Sequence, residues 1–237
     1  MIYLIGVRSV KADMDQRLET RKGGETLAER AYRLLEERIV TLKLAPGAWV
    51  TEQELASQAG LGRTPVREAV QKLIGEGLVI VYPRRGMLIS DISPIDVFQA
   101  LDTRMALERL QARDAALRGK PAERKMALEY AGKMRSFCKS GGDAAIDDYL
   151  AMDNAADALL ATAASNPFTS KALQPLQSIS RRAWFRFCRD ADLASAATLH
   201  ADLLDAVAEA QAERAAAAAG DLVEHVRDAI RAGLRAG

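Results

Sequence analysis

The sequence predicts a mostly α-helical protein whose N-terminal part also contains one small β-hairpin. Aromatic residues make up only 5% of the 237 residues, glycine and proline are scarce, and alanine is abundant throughout the second half. A chain of this composition favours helices over a β-sandwich or a barrel. Strand-like sequence occurs in one place, in two apolar runs within residues 78–90 around a Pro-Arg-Arg-Gly tip, which predict a hairpin with a four-residue loop.

The chain is predicted to comprise three segments. Residues 1–24 end in a charged stretch and two glycines and are expected to form a flexible arm, residues 25–90 contain the hairpin, and residues 91–237 form an all-helical bundle. The bundle is expected to start with Ser93 as a helix N-cap and Pro94 at the first helical position. The formal net charge of +1 excludes a strongly basic histone-like binder and an acidic disordered tail, but it permits a local basic patch.

Two absences in the sequence bear on its location. No run of 18 apolar residues occurs, so no membrane span and no membrane partner are expected. Cys138 and Cys188 lie far apart and outside any Cys-x-x-Cys pair, which favours two reduced thiols over a disulfide or a metal site. The sequence therefore predicts a cytoplasmic protein.

The order of elements within residues 25–90 is that of a winged helix-turn-helix. A second, short helix is predicted to begin at the capping box formed by Thr51 and Glu54, and a third is predicted to be capped by Thr64, with Pro65 at its first position. The hairpin follows the third helix, which in such folds can lie in the major groove of DNA. A first helix is indicated by apolar residues at helical spacing, namely Leu27, Ala31, Leu34, Leu35, Ile39 and Leu42.

Polar residues on the third helix and at the hairpin tip have the chemistry of a DNA-binding surface. Arg63, Arg67 and Gln71 follow one another at intervals of four and therefore share a helix face. Free N–H groups at a helix N-terminus favour a phosphate, and an arginine can donate two hydrogen bonds to guanine. The alternative is that these residues form a solvent-exposed face with ordinary surface arginines and bind no DNA. The predicted DNA contacts are Arg63, Thr64, Arg67, Gln71, Arg84, Arg85 and Gly86.

The stretch 27–90 resembles the DNA-binding domain of the GntR family of bacterial transcription regulators, most specifically in the run GRTPVREA at 62–69. One departure is Gln53, because relatives that follow the fatty-acid regulator pattern often carry an arginine there, so the operator preference is not carried over. The resemblance implies DNA contacts in the recognition helix and in the wing, namely Arg63, Thr64, Arg67, Arg85 and Gly86.

Residues 91–237 are similar to the all-helical ligand-binding domain of the FadR subgroup of that family, called the FCD domain. The similarity lies in the stretches 102–113, 149–168 and 199–207. Many relatives hold a metal ion with an Asp, a His one helical turn later and two further His. The resemblance implies the metal ligands Asp153, Asp157, His200 and His225, with Asp157 in place of the usual His and with Leu222 as the alternative to His225.

Two outcomes stay open for these four residues. Asp153 and Asp157 are four residues apart, so both carboxylates face the same side of one helix. Two carboxylates and two imidazoles could bind one divalent ion such as zinc, manganese or nickel. Alternatively, Asp157 has ended metal binding, and the pocket takes a polar organic ligand directly.

Arginines are the candidates for binding an anionic effector. Arg104 occupies a position that points into the pocket in relatives of the FCD type. Arg182 and Arg186, with Arg181 beside them, lie in the densest aromatic and basic cluster of the chain, at 180–187. An arginine can hold a carboxylate through two parallel hydrogen bonds. The resemblance thus implies an anionic effector, either a small organic acid or an aromatic acid.

Together these patterns predict a ligand-responsive transcription regulator, a repressor by default, that binds a palindromic operator as a homodimer and is not an enzyme. The effector would shift the population between DNA-competent and incompetent arrangements. Two alternatives stay open: a metal-dependent hydrolase that uses the same pocket, and a constitutive DNA-binding protein with a vestigial pocket. No motif places a general base or a nucleophile beside the candidate ligands.

Overall fold

The computed structural model describes residues 24–137, 144–188 and 193–236. The predicted arm, apart from Gly24, and Cys138 lie outside these residues. The chain divides between Asp91 and Ile92 into two compact units, and each has an apolar core of its own. The elements of the described residues are α1 (Leu27–Val40), β1 (Trp49–Val50), α2 (Glu52–Ala59), α3 (Arg63–Gly75), β2 (Val79–Tyr82), β3 (Gly86–Ile89), α4 (Pro94–Arg118), α5 (Pro121–Phe137), α6 (Ala144–Ala164), α7 (Pro167–Phe187), α8 (Leu193–Ala208) and α9 (Ala212–Ala236).

Helix caps explain where the helices of the first unit begin. The predicted capping box is present at α2, where the Thr51 side chain accepts from the backbone N–H of Glu54 and the Glu54 carboxylate accepts from that of Thr51. The predicted cap of α3 is wrong. This helix begins at Arg63 with Gly62 as its N-cap, because Gly62 has an extended backbone and Thr64 is already helical. No side chain caps α3, so its N-terminus keeps free backbone donors.

A three-stranded antiparallel sheet in the order β1-β3-β2 forms the wing. The hairpin β2–β3 is present as predicted, but Tyr82 pairs with Gly86, so the loop has the three residues 83–85 and not four. Strand β1 pairs with β3 and was not predicted, because two residues are too few for an alternating pattern. The larger buried side chains beneath the sheet, α1 and α3 are Leu35, Ile39, Leu55, Val66, Leu73, Leu78 and Ile89.

The second unit is a bundle of six helices within the described residues, and α4 packs against α6, α7, α8 and α9. Helix α4 begins as predicted, with the Ser93 side chain accepting from the N–H of Asp96 and Pro94 at the first position. Much of the core is alanine, which lets the helices approach closely around a polar pocket. None of the helices described here is long and apolar enough to cross a membrane.

Candidate nucleic-acid interface and effector pocket

Helix α3 has one buried and one exposed face. Val66, Ala69, Val70 and Leu73 are buried in the core of the first unit, at the spacing of one helical face. The opposite face carries Arg63, Thr64, Arg67 and Gln71, and all four side chains are exposed. The predicted row of polar residues is therefore free to meet a partner at this unit's surface.

Arg67 is held by an ion pair to α2. Its Nε and a terminal nitrogen donate to the carboxylate of Glu52 across 3.1 and 3.0 Å. The hydrogen bond from Arg67 lowers the pKa of Glu52. The Arg67 side chain is 64% exposed, and an exposed ion pair of this kind contributes little to stability. A phosphate or a guanine can therefore compete with Glu52 for this guanidinium.

The tip of the wing presents Arg84 and Arg85 to solvent. The N–H of Arg85 donates to the carbonyl of Tyr82 across 3.0 Å and closes a β-turn, in which Arg84 has a left-handed φ of 65°. Gly86 has a φ of 105°, and a Cβ there would lie 3.3 Å from the carbonyl oxygen of Val50. The sheet itself therefore requires glycine at this position.

The second unit contains a polar pocket between α4, α6, α7, α8 and α9. All four residues that sequence analysis predicted as metal ligands line it, together with Arg104. Apolar and aromatic side chains form much of the remaining wall. The complete lining is Arg104, Tyr149, Leu150, Asp153, Asp157, Ser180, Arg181, Trp184, Ala196, His200, Leu222, His225 and Val226.

Arg181 is the central cation of this pocket. Its Nε donates to Asp153 across 2.5 Å, and a terminal nitrogen donates to the carboxylate of Asp157. The side chains of Asp153 and Asp157 are 14% and 20% exposed, so the charge of Arg181 compensates two carboxylates that are largely withdrawn from water.

His200 is fixed by partners on both ring nitrogens. Its Nε2 lies 2.8 Å from a carboxylate oxygen of Asp153, while its Nδ1 lies 3.1 Å from the carbonyl of Ala196 and 3.1 Å from the hydroxyl of Tyr149. Burial acts to lower the pKa of His200, but the hydrogen bond and the charge of Asp153 outweigh it and raise the pKa. Asp153 thus contacts both Arg181 and His200.

The two carboxylates have opposite pKa shifts. Burial acts to raise the pKa of Asp153, but the charge of Arg181 and the hydrogen bond from His200 outweigh it and hold the pKa well below its usual range. For Asp157, burial prevails over the charge of Arg181 and, with the negative charge of Asp153, raises the pKa to about 7. The pocket therefore favours the ionised form of Asp153 much more than that of Asp157.

The donor atoms of the predicted metal ligands do not fit a divalent ion. The structure brings Asp153, Asp157, His200 and His225 to one pocket, but the described residues contain no group of three or more His, Cys, Asp or Glu arranged to hold a metal. The physical reason is Arg181, which already binds both carboxylates. Nε2 of His225 is buried and has no hydrogen-bond partner within the described part of the chain. The metal assignment is thus not supported by this arrangement.

The three arginines predicted to bind the effector have different surroundings. Arg104 lines the pocket and donates to Glu108, from Nε across 2.8 Å and from a terminal nitrogen across 2.5 Å. Arg182 is buried and Arg186 is exposed, and neither is part of the pocket lining. The arginine of this segment that lines the pocket is Arg181, and not Arg182 or Arg186 as predicted. The signal for it was present: two acidic residues on one helix face in an apolar bundle require a buried cation.

An exposed recognition helix beside a basic wing, joined to a helical unit with a polar pocket, defines a class of bacterial transcription regulators. Residues 27–89 match the family described as "Bacterial regulatory proteins, gntR family", and residues 99–227 match the FCD domain. The chain belongs to the GntR family, with an FCD domain as its effector-binding part. Members of this family regulate the transcription of bacterial genes, which favours the predicted regulator over the hydrolase alternative.

Individual relatives cover the chain in part. An "Uncharacterized HTH-type transcriptional regulator in unstable DNA locus" of Streptomyces ambofaciens is 37% identical over 56% of this chain and 54% of its own. The HTH-type transcriptional repressor RspR of Escherichia coli K12 is 38% identical over 37% of this chain and 39% of its own. The chain thus spans about half the length, or less, of these curated relatives.

Solved structures share the fold. The structure of E. coli McbR/YncC has a TM-score of 0.72 at 18% identity and covers 89% of this chain and 98% of its own. A transcriptional regulator from Rhodococcus sp. RHA1 has a TM-score of 0.59 at 22% identity and the same two coverages. The prediction of a winged helix-turn-helix followed by an all-helical bundle is confirmed.

Proposed function

We propose that this regulator is a repressor that binds a palindromic operator as a homodimer and releases it when a small organic acid fills the pocket of its helical unit. The observation that carries the proposal is the exposed row of Arg63, Arg67 and Gln71 on α3, in the same unit as the exposed arginines of the wing tip. RspR, a relative over 88 residues of this chain, is itself a repressor. A regulator of bacterial DNA works in the cytoplasm, which is the location we assign.

Different residues of the first unit contact the phosphates and the bases of the DNA. Arg63 and Thr64 lie at the uncapped N-terminus of α3, where backbone donors and the helix dipole favour a phosphate. Arg67 and Gln71 follow on the same face and reach base edges in the major groove. Arg84 and Arg85 bind the sugar-phosphate backbone beside it, and Gly86 keeps the wing backbone close to the DNA.

In the proposed response, the carboxylate of the effector replaces the carboxylate of Glu108 at Arg104. Arg104 is neutralised by Glu108, which also accepts a hydrogen bond from Gln177 of α7 across 3.4 Å. A ligand carboxylate that takes over Arg104 therefore changes a contact between α4 and α7. Because the ligand interacts differently with the two arrangements, it shifts the population between them, and no metal ion is needed for this step.

The homodimer is proposed to form through exposed apolar side chains of α4 and α7. Leu110 and Leu117 lie two turns apart on one face of α4, and Phe168 at the start of α7 is 84% exposed. Replacing Leu117 and Phe168 by Glu is expected to convert the dimer to a monomer, because charges would be buried in the interface. Sedimentation velocity measures this. Leu128→Glu, at an exposed leucine of α5, is the control, and a double variant that stays dimeric would contradict the assignment.

The proposed function is tested by sequencing the promoter fragments that the purified protein retains from a sheared genome. A palindromic site is expected among them, and a panel of small mono- and dicarboxylic acids is then screened for release of that site. Retention of no duplex at low ionic strength would refute the DNA-binding role. Tight binding that no acid changes, together with an unchanged melting temperature, would favour a constitutive DNA-binding protein.

A further inference from the structure

We infer that the guanidinium of Arg181 is the resident cation of the helical pocket, so that the native protein takes up no divalent metal there and loss of Arg181 turns the pocket into a metal site. This inference does not rest on the proposed operator or effector, because it concerns only the contacts among the side chains of the pocket. The geometry that carries the inference is the pair of contacts from one guanidinium to Asp153 and to Asp157.

Arg181 meets the electrostatic need that a metal ion would otherwise meet. The Arg181 side chain is 13% exposed, and an arginine stays charged under all ordinary conditions. Separate nitrogens of its planar guanidinium donate to the two carboxylates, which lie one helical turn apart on α6. A metal ion that bound both carboxylates would take two carboxylate partners from this guanidinium in a pocket that also contains Arg104. The native arrangement therefore opposes a second cation.

His200 is likewise committed to protein partners. Nε2 faces Asp153, and Nδ1 faces the carbonyl of Ala196 and the hydroxyl of Tyr149. A ring nitrogen must give up its partner before it can coordinate a metal. Arg181 and His200 contact different oxygens of the Asp153 carboxylate, so a metal ion that used either oxygen would displace one of these partners.

Removal of the Arg181 side chain leaves a set of ligands that divalent ions accept. Asp153, Asp157 and His200 line the same pocket, and His225 adds an Nε2 that has no hydrogen-bond partner among the residues the structure describes. Two carboxylates and two imidazoles suit zinc or nickel. The two carboxylates would then lack their cation, which favours uptake of a divalent ion.

The experiment compares native protein with Arg181→Ala, both prepared without a histidine tag and stripped with a chelator. Zn²⁺ and Ni²⁺ are added separately, and bound metal is measured by calorimetry and by elemental analysis after desalting. Arg181→Ala is expected to bind about one ion per chain and to melt at a higher temperature when loaded, while native protein retains none. Arg181→Lys, which keeps a cation, is expected to retain none, and adding His200→Ala should abolish the binding gained by Arg181→Ala.

Two results would overturn the inference. One is retention of about one ion per native chain that His200→Ala abolishes. The other is a folded Arg181→Ala protein, with native circular dichroism, that retains no metal. If Arg181→Ala does not fold, the double variant Arg181→Gln with Asp157→Asn removes one buried negative charge together with the cation. Retention of a metal ion by this variant would support the inference, and its absence from the folded variant would overturn it.

Discussion

Asp153→Asn is expected to destabilise the protein by about 2–4 kcal/mol, whereas Asp157→Asn, one helical turn later, should leave the free energy of unfolding unchanged or raise it. The ionised form of Asp153 is bound by Arg181 and His200, which hold its pKa well below the usual range against the effect of burial. Burial raises the pKa of Asp157 to about 7, so a neutral amide at this position removes a charge that the folded state disfavours relative to the unfolded chain. Urea unfolding at pH 7, followed by circular dichroism, measures the difference.

The pH dependence of the same comparison gives an independent test. A carboxyl whose pKa is raised on folding destabilises the native state as the pH rises from its ordinary value of 3.8 towards about 7. Native protein should therefore lose stability relative to Asp157→Asn over this interval, and the difference should then level off. Equal effects of the two substitutions at pH 7, or a relative gain for native protein on raising the pH, would contradict the assigned pKa shifts.

The sequence predicted the helices of the first unit well because their signals are local. Capping residues such as Thr51 and Glu54 lie beside the elements they define, and the apolar spacing of α3 is complete within the helix itself. The start of α3 was misplaced because Gly62 has no side chain that marks a cap. Strand β1 depends on pairing with β3, about forty residues further along the chain, and nothing at Trp49 or Val50 encodes that partner locally.

The sequence predicted several residues of the candidate site but not the contacts between them. The resemblance to the FCD domain singled out Asp153, Asp157, His200 and His225, and the structure places all four in the lining of one pocket. It did not show that Arg181 binds both carboxylates, because this contact joins α6 to α7, and the rotation of α7 is set by packing. The local pattern offered several neighbouring arginines, and only the tertiary structure selects the one that faces the acids.

Arg67→Ala is expected to weaken operator binding by about 10- to 100-fold and to relax specificity at one base pair. Arg67 is exposed on the recognition helix, and its ion pair with Glu52 orients the guanidinium without adding much stability. The substitution should therefore leave the fold intact and remove a contact to the DNA alone. Fluorescence anisotropy with an operator duplex and with single-base variants at fixed salt measures both effects.

Arg33→Ala provides a matched control for this prediction. Arg33 is also an exposed arginine of the first unit, and its Nε donates to Glu25 across 3.1 Å, but it lies on α1 and not on the recognition helix. Its loss should leave operator affinity unchanged within about twofold and preserve the base preference. If Arg33→Ala weakened binding as much as Arg67→Ala, the contribution of Arg67 would be a general electrostatic attraction. Unchanged affinity in both variants would exclude Arg67 from the DNA contacts, and the recognition surface would have to lie elsewhere in the unit.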